Sequence, residues 1–143
     1  MATKEKTSAT QEMSNVVDVL GAFTRLLEEE TLALRAADFK IVDTLQAKKR
    51  EFAKRYHDCV CLLSEKKEYF QSVGLDQKEK LVRARTKFTH ALNDNMLALE
   101  AAKDSARRLV ERILETARHS VVDDKKTNYS SKGQATSYKT ATM

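Results

Sequence analysis

The sequence predicts an all-α protein, an elongated antiparallel bundle of three long helices with disordered termini. Three observations lead there. The 143 residues include three Gly and no Pro or Trp, so little interrupts a helix. Apolar residues recur at steps of three, four and seven, the spacing that places them on one helical face. The stretch from Asp76 to about Val121 also contains neither Pro nor Gly. Its Leu81, Phe88, Leu92, Leu99, Ala106, Leu109 and Ile113 form one stripe. At ~1.5 Å per residue that helix would be roughly 65 Å long, and other helices must sheathe it.

Taken in order, residues 1–11 are polar and rich in Ser and Thr, with nothing to bury, and read as a disordered arm. The bundle follows over 12–121, with helices at about 12–36, 38–71 and 76–121. The first presents Met13, Val16, Val17, Leu20, Phe23, Leu27 and Leu34 at helical spacing. Gly21 inside it weakens the helix by up to ~1 kcal/mol and suggests a close helix crossing. Asp38 can accept hydrogen bonds from the free amides at the start of the second helix, which makes it an N-cap. That helix turns Phe39, Val42, Leu45, Phe52, Cys59, Leu63 and Phe70 inward. Gly74 as a C-cap followed by Asp76 as an N-cap then closes a tight helical hairpin. Closure there sets Phe52 opposite Asn95 and Met96, and Lys48 and Lys49 close to Glu100. The core is expected to be a narrow Leu/Val/Ile seam, because only 6% of the residues are aromatic. The third helix outruns the other two, so Val110, Ile113, Leu114, Ala117 and Val121 are left without cover. Residues 122–143 lose all periodicity and read as a flexible C-terminal tail.

Composition narrows the function. The net charge is +5 with 33% charged residues, and most of the charge is interleaved along the helices. Two basic clusters stand out, Lys48, Lys49, Arg50, Lys54 and Arg55, and Lys78, Lys80, Arg83, Arg85 and Lys87. No base-stacking aromatics accompany them, so they read as solvated surface and no nucleic-acid partner is expected. No apolar run approaches the ~18 residues of a membrane span, and none resembles a signal peptide. A cytoplasmic protein without stable membrane insertion is the expectation. Cys59 and Cys61, two apart on a helix, diverge by about 200° and are poorly placed to share a metal or a disulfide. His57, His90 and His119 stand on separate turns, and none follows a Glu at the spacing of di-iron bundles. With no phosphate-cradling loop and no nucleophile motif, neither catalysis nor a metal or cofactor is expected. What remains is binding. The uncovered face at Val110–Val121 suits a partner's amphipathic helix, or else packs on the first helix or on a second copy in a homodimer. Tyr129 lies in a segment too polar to form a core, where an aromatic ring suits a docking contact.

Three stretches together resemble the FlgN family of flagellar export chaperones. Leu26–Phe39 (LLEEETLALRAADF) resembles that family's Leu-Leu, Glu, Ala-Leu and closing Asp-Phe before a second helix. Leu45–Lys49 (LQAKK) is similar to its Leu followed by Lys in helix two, and Tyr129–Gln134 (YSSKGQ) to the Tyr, Gly and Gln after its last helix. The resemblance implies a cytoplasmic bacterial chaperone that uses neither nucleotide nor metal. Such a protein binds hook-filament junction subunits, keeps their terminal helices from assembling early, and delivers them to the flagellar type III export gate. It assigns cargo contact to Val110, Ile113, Leu114, Ala117 and Val121, and gate docking to Tyr129 and Gly133. The alternative from a different class is a self-associating coiled-coil component, such as a stalk subunit of a secretion machine.

Overall fold

The computed structural model describes residues 2–127, which are all-α with no strand among them. There are four helices, three of them long: α1 Ala2–Arg35, α2 Phe39–Glu65, α3 Lys67–Gln71 and α4 Leu75–Thr127. The chain divides after Glu100 into two units, residues 1–100 and 101–143. The α4 helix contributes to both.

Several boundaries differ from the sequence expectation. The arm expected at 1–11 is helical from Ala2. The reason lies at the other end of the unit, where Phe70 and Val73 form a small core with fully buried Ala9 and with Met13. The single helix expected at 38–71 is broken at Lys66, whose φ of −115° and ψ of 40° leave helical space. This break creates α3 and turns Phe70 toward Met13. The last helix continues past the expected end at Val121 to Thr127, so the start of the supposed tail at 122 is helical. Residues 128–143 lie outside the described residues.

The two turns use local chemistry. After α1, Ala37 takes a left-handed φ of 55°. The Asp38 amide donates to the Ala33 carbonyl at 2.8 Å and the Ala37 amide to the Leu34 carbonyl at 3.1 Å. This is the paired bonding of a Schellman ending, filled by Ala where Gly is usual. Asp38 then caps α2, its carboxylate accepting from the Ile41 amide at 3.4 Å. Phe39, expected to face inward, is exposed in the first turn. Before α4 the roles differ from the expected ones. Gly74 does not have a positive φ, and its carbonyl accepts from the Lys78 amide at 3.2 Å, so it caps the start of α4. Asp76 instead lies in the first turn, where its charge favours the positive end of the helix dipole.

The first unit is built in layers on α1, α2 and the part of α4 up to Glu100. Val16, Leu20, Phe23, Leu26 and Leu27 of α1 share one core with Leu45 of α2 and Phe88 and Ala91 of α4. Most of its buried residues are the aliphatic ones expected from composition, but an aromatic cluster adds to them. Phe23 stacks on Phe52 at 5.9 Å between centroids and meets Phe88 at 5.1 Å, while Tyr56 meets Phe88 at 4.8 Å. Aromatic pairs of this kind add about 0.5–1.5 kcal/mol each beyond the area they bury.

Two helical turns along, the same positions are polar. Seven residues after Phe23 stands Glu30, and seven after Phe88 stands Asn95, each 1% exposed. Glu30 Oε1 accepts from Lys49 Nζ at 2.7 Å and from Asn95 Nδ2 at 2.8 Å, and its Oε2 accepts from Gln46 Nε2 at 2.6 Å. Lys49 Nζ also donates to Asn95 Oδ1 at 3.3 Å, and Asn95 Nδ2 lies 3.3 Å from Thr31 Oγ1. Three helices are joined by one hydrogen-bonded cluster. Lys49 therefore pairs with Glu30 and Asn95, not with the expected Glu100, and the α2–α4 pairing is displaced by about one helical turn. Burial pushes the Glu30 carboxyl up, but the hydrogen bonds from Lys49, Asn95 and Gln46 outweigh it and hold the group below its ordinary value of 4.5.

Gly21 does not mark a close crossing, because a methyl group there would meet nothing within 4 Å. Gly21→Ala is therefore expected to stabilise the chain by about 0.5–1 kcal/mol in urea denaturation, through the higher helix propensity of Ala. For the polar cluster, Lys49→Met leaves a buried carboxylate without its cation and is expected to cost about 3 kcal/mol. Glu30→Gln keeps one acceptor oxygen but sets an amide NH2 against a donor where the second oxygen stood, and leaves a lysine head that reaches solvent, for about 2 kcal/mol. A depressed carboxyl stabilises the fold above its unfolded-state value. That contribution should fade as pH falls from 4.5 through the folded value, and Glu30→Gln should remove this part of the acid sensitivity.

Candidate functional site

In the second unit, the residues of α4 carry an apolar row. At 3.6 residues per turn, Ala106, Val110, Ile113, Leu114, Ala117 and Val121 fall within about 100° of arc. Val110 is 54% exposed and Ile113 58% exposed, while Leu114, Ala117 and Val121 are half-buried. Leu109, on the edge of the row, is also exposed. Five aliphatic or small side chains predicted from the sequence as a binding face are thus brought onto one side of one helix.

The rest of that helical surface is mostly charged, and part of the charge is paired locally. Asp104 accepts from Arg107 at 2.5 Å and from Arg108 at 3.0 Å, and His119 lies 3.8 Å from Glu115. Pairs spaced three or four residues apart support the helix locally by a few tenths of a kcal/mol and do not recruit other elements. An apolar stripe bordered by charged residues is the surface an amphipathic partner helix fits. Such a partner buries apolar area at about 25 cal/mol per Å² without first having to break strong ion pairs.

The other residues singled out in the sequence do not converge. Tyr129 and Gly133 lie outside the described residues. The histidines are apart: His57 lies 3.6 Å from Cys61, His90 is on α4, and His119 pairs with Glu115. Cys59 and Cys61 are both free thiols, and burial, aided by the charge of Asp58, pushes the Cys59 thiol up. No group of three His, Cys, Asp or Glu among the described residues is arranged to hold a metal ion. No helix among them is long and apolar enough to cross a membrane.

The basic clusters are partly spent on internal contacts. Lys49 is held by Glu30, Arg55 pairs with Glu51 at 2.7 Å and covers the Phe52 ring, and Lys78 donates to the Gln71 carbonyl at 2.9 Å. Sequence reasoning missed the Glu30–Lys49–Asn95 cluster. It also missed an apolar groove in the first unit, whose banks include Val60 and Val82. The cluster did leave a signal, since Glu30 and Asn95 each interrupt an apolar stripe at heptad spacing. No family model matches the chain, and neither a curated protein nor a solved structure is significantly similar to it.

Proposed function

We propose that this chain is a cytoplasmic export chaperone of the FlgN type. It holds the terminal helices of hook-filament junction proteins against the apolar row of α4 and delivers them to the flagellar type III export gate. The observation that carries this reading is the exposure of Val110 and Ile113, each more than half open to solvent on a helix that also presents Leu114, Ala117 and Val121 on the same side. Large aliphatic side chains in a row are not left in water without reason, and a helix laid along them would remove the row from solvent. The resemblance of Leu26–Phe39, Leu45–Lys49 and Tyr129–Gln134 to the FlgN family supplies the identity of the client and the destination.

The physics suits a carrier. Burial of the row stabilises the complex, while ordering a client helix and lost rigid-body freedom oppose it, so the affinity is moderate and the cargo can leave. The client's own assembly surface is shielded while it is held. Tyr129 and Gly133, by the same resemblance, dock the loaded chaperone on the gate.

Replacing both Ile113 and Leu114 by Asp is expected to weaken client binding at least tenfold in calorimetry with the far-ultraviolet helix signal intact. Unchanged affinity would contradict the site. In sedimentation, the isolated wild type is expected to be a monomer or small assembly that gains the client; a stable larger homo-oligomer dissolved by the same double substitution would favour the coiled-coil stalk instead. Tyr129→Ala is expected to leave client affinity unchanged and to reduce the client secreted into the medium several-fold. Secretion at the wild-type rate would remove the docking role.

A further inference from the structure

The first unit has an apolar groove of about 370 Å³ between α2 and α4, floored by α1. That is inside the ~300–1,000 Å³ range of ligand sites. Val16 and Leu20 form the floor, and Val60 and Leu63 of α2 and Leu81 and Val82 of α4 form the walls. It borders the aromatic centre, since Tyr56, whose ring meets Phe88 at 4.8 Å, also lines the groove. It uses no residue of the apolar row at Val110–Val121.

Two features say what the groove is shaped to take. The first is its banks. Val60 is 43% exposed and Val82 63% exposed, so apolar surface continues from the floor up and over both edges. A single acyl chain lying in the trough would leave both edges wet, whereas a helix, about 10 Å or more across, rests on both at once. The second is charge. Lys67 and Arg85 line the groove and no carboxylate does. Among the described residues, neither Lys67 nor Arg85 has an ion-pair partner. None of the acids on the packed helices nearby lines the groove: Asp18, Asp58, Glu65, Glu68 and Glu79 are exposed, with Glu79 engaged by Arg83 at 3.6 Å, and Glu12, one turn before Val16, is half-buried with its Oε2 unpartnered among the described residues. A second copy of this chain, with its net charge of +5, is poorly matched to a cation-lined groove.

We infer that this groove is a second docking site, one that takes an acidic amphipathic helix: aliphatic side chains seated between Val60 and Val82, with flanking carboxylates on Lys67 and Arg85. The recognition is helix-in-groove, with apolar contacts supplying affinity and the two cations fixing which helices are accepted. It stands independently of the client-binding reading of the second unit.

Cys59 lines the groove and gives it a built-in reporter. In the full chain carrying Cys61→Ser, Cys59 is the only thiol, and its rate of alkylation by a maleimide reads occupancy directly. The probe is a synthetic 18-residue helix with Leu at helical spacing and Glu on the flanks, compared with the same peptide carrying Lys for Glu, and with dodecanoate. The Leu/Glu peptide is expected to slow alkylation at least fivefold and the Leu/Lys peptide not to. Combining Lys67→Glu with Arg85→Glu should invert that preference, and Val82→Asp, at an exposed position, should abolish protection with helicity retained. Three results would overturn the inference: equal protection by both peptides, protection by dodecanoate alone, or protection that rises with protein concentration in the absence of peptide. Absence of protection by any probe would overturn it as well.

Discussion

The buried carboxylate of Glu30 is the constraint on which the first unit depends. A charge removed from water is tolerated only when it is fully hydrogen-bonded, and Glu30 meets that demand by drawing partners from both of the other long helices, Lys49 and Gln46 from α2 and Asn95 from α4. Only one sliding position of the helices satisfies all of these bonds. A displacement by one turn would leave the carboxylate, the Asn95 amide or both without partners, so the cluster acts as a register pin. The aromatic layer at Phe23, Phe52, Tyr56 and Phe88 is then brought into contact two turns away by the same alignment.

With the register fixed, the contrast between the two units becomes chemical. Residues up to Glu100 include two apolar cores, a hydrogen-bonded polar layer and a short helix whose Phe70 closes on Met13 and Ala9. In the second unit, by contrast, Leu109, Val110 and Ile113 remain exposed on a helix where Asp104 pairs locally with Arg107 and Arg108. The buried apolar side chains are thereby concentrated in one stretch of the chain and an exposed apolar row lies in the other. The layered core buries its own aliphatic and aromatic side chains, whereas Val110 and Ile113 of α4 are more than half exposed.

The helical class, the cap at Asp38 and the apolar row at Val110–Val121 were legible because each is written in local sequence: spacing, a capping side chain, the absence of breakers. What was not legible depended on partners far away in the chain. The first eleven residues look too polar to pack, yet Ala9 is small enough to disappear against Phe70 and Val73, and the helix then extends to Ala2. Lys66 carries no breaker residue, so the kink that creates α3 is set by tertiary packing. Glu30 and Asn95 were visible as interruptions of their stripes, but that they meet each other through Lys49 could be seen only with the helices in place. The groove near Val60 and Val82 was hidden for the same reason, since it is lined by residues of all four helices and made by none of them alone.

Hydrogen exchange on the full chain followed by mass spectrometry tests this division most directly, because it reads the stability of each stretch separately. Amides around Glu30, Lys49 and Asn95 are expected to exchange only through global unfolding. Those of 105–122 are expected to exchange orders of magnitude faster in the isolated chain and to slow when a client helix is bound. Uniformly high protection across both regions in the isolated chain would mean that the apolar row already has its burial, and would contradict its proposed role as a face held open for a partner.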